Sequence, residues 1–343
     1  MTEQTQLAWD IIETTNTNLF LTGKAGTGKT TFLRRLKEES SKRIVVVAPT
    51  GIAAINAEGV TIHSFFQLSF APFIPNYNLK EQQFRFSKQK INVIRSIDTL
   101  VIDEISMVRA DLLDAVDSVL RRFRKNNLPF GGVQMVMIGD LGQLAPVAKD
   151  DEWQMLSRYY ATPYFFSSLA LQRTRYAIVE LTKVYRQSDK RFLDILNKVR
   201  ENHADAAVLS ALNSRYIPDF KPRKEDGYIR LTTHNWQAQR INDHELEQLP
   251  GKPYTYNATI EGKYPEMLFP TEETLTLKTG AQVMFVKNDS SADKAYYNGM
   301  IGTIAEIDAE GLSLRRRTRA RIYVCSPSSG TTRATCSTRR PTR

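Results

Sequence analysis

Residues 23–31, Gly-Lys-Ala-Gly-Thr-Gly-Lys-Thr-Thr, constrain this chain more than any other stretch. A glycine, four residues and then Gly-Lys-Thr form a phosphate-binding loop, and its flanks fit that reading. Asn18 to Thr22 is a short apolar run with strand character, and Thr30 to Glu39 repeats apolar residues at Phe32, Leu33 and Leu36, the spacing of a helix. Strand, loop and helix in that order turn backbone N–H groups and the positive end of a helix toward an anion. Gly23, Ala25, Gly26, Thr27, Gly28, Lys29, Thr30 and Thr31 are therefore predicted to hold a nucleoside triphosphate. Lys29 neutralises the outer phosphates and Thr30 offers its hydroxyl to a bridging Mg2+. An ordinary glycine-rich turn is the alternative, and the complete motif in this setting disfavours it.

The chain has 343 residues, enough for two or three domains, and 41% of them are hydrophobic, enough for packed cores. No apolar run reaches the roughly 18 residues of a membrane span, and the first ten residues lack the basic and apolar regions of a secretion signal, so a cytoplasmic or nucleoid location without membrane partners is expected. The formal charge of +10 invites a nucleic-acid reading, but nine of the 47 basic residues are arginines between Leu312 and Arg343, a stretch without Asp, Glu or Lys. Without them 38 basic residues face 37 acidic ones, and the body is nearly neutral. Both cysteines, Cys325 and Cys336, lie in that stretch too, which excludes a disulfide framework or cysteine-based zinc site in the preceding 311 residues.

Three further apolar runs read as buried strands of an α/β fold with a parallel sheet: Ile44 to Ala48, Thr99 to Ile102 and Gln134 to Ile138. The second closes on Asp103-Glu104, where an open parallel sheet places its site; Asp103 is suited to hold magnesium and Glu104 to orient or deprotonate a water. The third closes on Gly139 to Pro146, in which Gln143 could sense a terminal phosphate. Upstream of the loop, Gln4 or Gln6 in an amphipathic helix is either an adenine reader or a solvated glutamine. Val60 to Phe66 joins His63 and hydroxyls to paired aromatics, fit for phosphate contact and base stacking or equally for a capped turn with core aromatics. Gln67 to Asn78 reads as an inserted loop or small hairpin that offers Phe70, Phe73 and Tyr77 to a partner or packs on itself, and Lys80 to Lys90 as a surface helix. Ala110 to Arg124 is a helix with a core stripe at Leu112, Leu113, Val116, Val119 and Leu120. Glu180 to Asp189 opens a second domain, with Arg186 as a candidate to stabilise a transferring phosphoryl group. Asp194 to Val199 and Ala206 to Leu212 are expected helices, Tyr228 to Thr233 a strand ending at His234-Asn235, and Gly280 to Val286 and Tyr296 to Ile307 β-rich segments with a hairpin turn at Asn298-Gly299.

The series GKAGTGKTT, APTGIAAINAEGVTIHSFF, LVIDEISMV, MIGDLGQLAPV, LTKVYRQSD, LTTHN, LKTGAQVMFVKND and YYNGMIGTI resembles the Pif-type DNA helicases of superfamily 1, relatives of RecD, over residues 6 to about 305. The resemblance implies a RecA-like motor domain over residues 1–175 with a wedge-like insertion near 67–78. It further implies part of a second RecA-like domain over 176–255 and the start of an SH3-like β-barrel over 256–311. It assigns adenine to Gln6, phosphate and magnesium to Lys29 and Thr30, metal and base roles to Asp103 and Glu104, and the terminal phosphate to Gln143 and Arg186. Thr50, His63, Ser64 and Phe65, with Thr232, His234 and Asn235, become candidates for single-stranded DNA. ATP and Mg2+ are implied as ligands, forked or quadruplex DNA as partners, five-prime to three-prime movement as the mode, and a monomer as the state.

The chain departs from that pattern after Gly311, where the Lys-Ser-Gln-Gly and Ala-Leu-Ser-Arg stretches of the family are replaced by an Arg, Ser, Thr and Pro segment. Its composition predicts disorder over 312–343, and its abrupt onset reads as a frame shift or a basic accessory tail. Two other classes stay open: a module that binds ATP or DNA without coupling them, and a phosphate-loop ATPase that acts on a protein partner.

Overall fold

The computed structural model describes residues 2–75, 86–185, 189–220, 228–257, 272–286, 296 and 300–307, with the backbone alone for Asn235 and for 312–316, 322–327 and 334–339. The chain divides into two units, Met1–Tyr216 and Ile217–Arg343. Among the described residues no helix is long and apolar enough to cross a membrane.

The first unit runs α1 (Glu3–Thr14), β1 (Asn18–Gly23), α2 (Lys29–Glu39), β2 (Ile44–Ala48), α3 (Gly51–Asn56), β3 (Val60–Thr61), α4 (Ile62–Phe66), α5 (Lys88–Ser96), β4 (Thr99–Ile102), α6 (Ala110–Arg124), β5 (Gln134–Ile138), α7 (Asp150–Leu156), α8 (Leu169–Gln172), β6 (Tyr176–Leu181), α9 (Lys190–Arg200) and α10 (Ala206–Asn213). Its six strands are all parallel, in the order β3-β2-β4-β5-β1-β6. Alternation along each strand sorts the core into two layers. Leu19, Leu21, Val46, Val101, Val136 and Ile138 face one side, covered by Ala8 and Ile12 of α1 and by Phe32, Leu33 and Leu36 of α2. Phe20, Val47, Leu100, Ile102, Met135 and Met137 face the other, against α4, α5, α6 and α8. Burying each large aliphatic side chain contributes about 1.5–3 kcal/mol, so the two layers fix the register of every strand. Local signals set the ends: Thr2 and Thr5 form a capping box on α1, and Lys125 ends α6 in the left-handed region at φ 52°.

Residues 176–181, expected to open a second domain, instead extend the first sheet: Tyr176 to Leu181 pair with Asn18 to Gly23 along the whole of β1. The division falls at Tyr216, beyond α9 and α10. The insertion is described as far as residue 75, and Phe73 N donates to Asp111 at 3.0 Å, which ties it to α6. Tyr77, Asn298 and Gly299 lie outside the described residues, as do the first six residues of the helix expected over 80–90.

The second unit holds α11 (Asn235–Glu247), an antiparallel pair β7 (Tyr254–Asn257) and β8 (Thr274–Leu277), and an antiparallel sheet of β9 (Gln282–Met284), β10 (Ile301–Ile307), β11 (Leu312–Arg316), β12 (Ile322–Pro327) and β13 (Ala334–Arg339). Ala281, Met300, Ile304 and Ile307 form its core with Leu249, Tyr254, Leu277, Val283 and Phe285. Two expectations fail here. Tyr228 to Thr233 is not a strand: its residues are exposed, and a run of six holds an extended ladder only against a partner strand, which the described residues do not supply. The segment after 311, expected to be disordered, contributes three paired strands. β11 pairs with β10, whose Ile304 and Ile307 lie in the core, and Ile322, Val324, Thr335 and Thr338 are residue types that favour extended backbone.

Candidate nucleotide site

Because β4, β5 and β1 are parallel neighbours, their carboxyl ends lie side by side at one edge of the sheet, within about 10 Å by ordinary strand spacing. The glycine loop leaves β1, Asp103 and Glu104 leave β4, and Asp140 leaves β5. These residues, far apart in sequence, share an electrostatic environment: the Lys29 ammonium sits in the field of Asp140, Glu104 and Asp103.

The loop is shaped by its glycines. Gly28 is the N-cap of α2 at φ 94°, a conformation costly for other residues, and no side chain caps the helix, so its first N–H groups face outward for an anion. Gly23 is pressed between the end of β6 and the loop; a methyl there would come within 2.5 Å of Leu181 O and 2.7 Å of the Thr27 hydroxyl. Thr27 is buried and donates to Lys24 O at 2.8 Å, while Ala25, Thr30 and Thr31 are exposed. Lys29 Nζ donates back to Gly23 O at 2.5 Å and Lys24 O at 3.1 Å. Burial pushes its pKa down and the three carboxylates oppose that shift.

Asp103 and Glu104 sit at a sharp turn. Glu104 takes the left-handed conformation at φ 52°, an uncommon one for a residue with a side chain, and its N–H donates to Asp103 Oδ1 at 3.0 Å. Burial, opposed by that N–H and reinforced by the neighbouring Glu104 charge, pushes the Asp103 carboxyl up to about 6. A half-buried carboxylate crowded by a second one favours a nearby cation. Among the described residues no cluster of three or more metal-binding side chains occurs. Asp103 and the exposed Thr30 hydroxyl are the oxygen donors present at the loop that could hold such an ion.

The Asp140 carboxylate, 1% exposed, accepts from Gly142 N at 3.0 Å and from the Gln143 amide at 2.9 Å. It also receives the guanidinium of Arg200, through Nη1 at 2.7 Å and Nη2 at 2.5 Å. Burial raises the Asp140 pKa less than the Arg200, Gln143 and Gly142 hydrogen bonds lower it, so the net shift is downward. Lys24 Nζ donates to Asn197 at 2.8 Å and Glu201 at 3.1 Å, and Tyr185 N donates to Gly26 O at 2.8 Å. Sequence reading singled out Gln143 and missed Asp140, Arg200 and the Lys24 contacts. An acid closing an apolar strand marked Asp140; nothing in a helical pattern 60 residues away marked Arg200.

The remaining candidates are placed as follows. Gln6 lies on the exposed face of α1, its amide donating to Asp10 at 2.8 Å. Thr50 is exposed and caps α3; Ser64 is exposed on α4, whose cap is Thr61. His63 stacks on Phe70 with centroids 4.5 Å apart and planes 14° apart, and Phe70 is 60% exposed. Burial and the Arg109 charge lower the His63 pKa, with Asp111 opposing, so the ring is neutral near pH 7 and suited to stacking rather than to pairing with a phosphate. Phe65 is corrected: it is 5% exposed, packed edge-on against Phe66 inside the core, and unavailable to a ligand. Its place on α4 turns it inward beside Phe66, and the exposed ring is Phe70. In the second unit Thr232 donates to His234 O at 3.2 Å and His234 is the N-cap of α11. Arg186 lies outside the described residues, as does the side chain of Asn235.

The profile of PIF1-like helicases matches residues 2–208, more than half of the chain. The chain belongs to the PIF1-like helicase family. It is 37% identical over 315 residues to the ATP-dependent DNA helicase Pif1 of Psychrobacter sp. (strain PRwf-1), covering 87% of this chain and 45% of that one. It is 36% identical over 309 residues to human ATP-dependent DNA helicase PIF1, again covering 87% and 45%. It thus spans less than half the length of these curated relatives. Among solved structures, Bacteroides Pif1 bound to ssDNA is 37% identical with a TM-score of 0.81, covering 98% of this chain and 78% of that one. The Bacteroides Pif1 complex with ADP-AlF3 and ssDNA is 37% identical with a TM-score of 0.83, covering 98% and 79%. The α/β architecture with its six-stranded parallel sheet is that of the RecA-like motor in these helicases.

Proposed function

We propose that this chain is an ATP-driven DNA helicase that moves five-prime to three-prime on single-stranded DNA and opens forked or quadruplex-bearing substrates. The observation that carries the reading is the convergence of Lys29, Asp103, Glu104 and the Asp140 to Gln143 turn on three adjacent strand ends. In this reading the glycine loop and the open first turn of α2 take the phosphates of ATP, and Gln6 reads adenine. Thr30 and Asp103 hold Mg2+, which when bound draws charge from the transferring phosphoryl group. Glu104 orients and deprotonates the attacking water, Gln143 meets the terminal phosphate, and Arg186 neutralises its developing charge.

Single-stranded DNA passes over Thr50, Ser64 and the His63–Phe70 stack in the first unit, and over Thr232, His234 and Asn235 in the second. A stacked aromatic pair whose outer ring, Phe70, is exposed is a platform for bases and accepts any of them. The second unit belongs to a second RecA-like domain carrying an SH3-like barrel, and the segment near residues 67–78 is the wedge between the separated strands. In this reading the protein acts as a monomer in the cytoplasm, at the nucleoid if its source is prokaryotic.

Unwinding of matched partial duplexes tests the reading. A duplex with a five-prime single-stranded tail is expected to open with MgATP and one with only a three-prime tail to stay closed. Equal opening of both would overturn the direction, and opening without ATP would overturn the motor.

A further inference from the structure

Arg200 ends α9 and lies with its guanidinium on the turn that follows β5. Two independent observations fix it there. The first is the fork-shaped pair with both oxygens of Asp140, the same oxygens that receive Gly142 N and the Gln143 amide. The second is steric: a methyl at Gly142 would stand 2.6 Å from the guanidinium carbon and from Nη1, and its three nearest atoms all belong to Arg200. The φ of Gly142 lies outside the left-handed region, so what opposes a methyl there is the Arg200 guanidinium, the far end of a flexible side chain that must shift to admit it. One turn away on α9, Asn197, together with Glu201, holds Lys24 of the glycine loop. Helix α9 therefore grips the loop after β1 and the turn after β5 at once.

We infer that Arg200 is a positioning residue for ATP hydrolysis: clamped to Asp140 and laid over Gly142, it holds Gln143 at the distance from the glycine loop that a terminal phosphate spans. This rests on the reading that the chain hydrolyses ATP at this site. Asn197 and Arg200 lie on one helix, so α9 tethers the two loops to each other in addition to the spacing that the pairing of β1 with β5 sets. A loop displaced by about 1 Å can cost up to 10²-fold in rate.

The test compares ATP turnover in the presence of a single-stranded oligonucleotide, and equilibrium binding of fluorescent ADP, for the full chain and for Arg200→Ala, Arg200→Lys, Gly142→Ala, the double variant Arg200→Ala/Gly142→Ala, and Lys29→Ala as the blank. Arg200→Ala and Gly142→Ala are each expected to lower kcat about tenfold or more, with KM and ADP affinity within about twofold. Arg200→Lys restores part of the rate, and the double variant is no slower than either single one, because both remove the same contact. Gly142 is exposed, so Gly142→Ala keeps the parent's melting temperature. Parent-like turnover in Gly142→Ala or Arg200→Ala, a loss confined to KM, additive losses in the double variant, or a Gly142→Ala protein that no longer folds overturns the assignment of Arg200 alone. A parent chain no faster than Lys29→Ala overturns the hydrolysis reading, and the assignment with it.

Discussion

Asp103 carries an electrostatic cost in the nucleotide-free protein. Its folded pKa of about 6 lies above the unfolded value near 4, so the folded state holds the proton more tightly. The cost is therefore fully present above pH 6 and disappears as pH falls toward 4; two pKa units correspond to roughly 2–3 kcal/mol. Asp103→Asn is expected to melt several degrees higher than the parent at pH 8 without nucleotide, with the gap closing near pH 4.5. Adding Mg2+ and a non-hydrolysable ATP analogue reverses the order, because the parent carboxylate then has a cation. A variant that melts no higher at pH 8 would contradict the cost. At this scale the sequence was legible wherever a residue type and its position at a strand end sufficed, as for Lys29 and Asp103. It was not legible for Phe65, whose inward face is decided by the phase of a five-residue helix, or for Arg200, whose partner is brought near only by strand order.

Helix α6 shows what an apolar pattern conceals. Its stripe of Leu112, Leu113, Val116, Val119 and Leu120 was readable and all but the half-buried Leu112 is buried, yet Asp111, Asp114 and Asp117 are buried beside it. Each acid anchors a loop. Asp111 takes Phe73 N and two bonds from Arg109, and Asp117 takes Phe130 N. Asp114 takes Tyr160 OH at 2.9 Å, Ser168 Oγ at 2.5 Å and the first N–H groups of α8 at 3.0 and 2.9 Å. Removing it leaves four donors, three of them buried, without that acceptor, so Asp114→Ala is expected to lose about 3–5 kcal/mol in urea unfolding, and Tyr160→Phe only about 1 kcal/mol. Equal losses would place the energy in the tyrosine bond rather than in the shared carboxylate. Alternating charge in a helix reads as a solvated face, and only the loops folded over α6 reveal otherwise. The same limit explains Tyr228 to Thr233, since strand propensity in one segment cannot report whether a partner strand is present.

For the whole molecule, the first unit was legible because its parallel strands are continuous apolar runs, each with chemistry at its carboxyl end. The domain boundary was harder to read, because a strand that opens a new stretch of sequence can still close the sheet of the old one, as Tyr176 to Leu181 does on β1. The central claim is that ATP cleavage at this cleft is coupled to single-stranded DNA. The measurement that meets it most directly is steady-state ATP hydrolysis by the 343-residue chain with and without a single-stranded oligonucleotide, against Lys29→Ala. The account predicts turnover that DNA stimulates at least tenfold and that the variant abolishes; turnover indifferent to DNA, or equal in the parent and the variant, would contradict it.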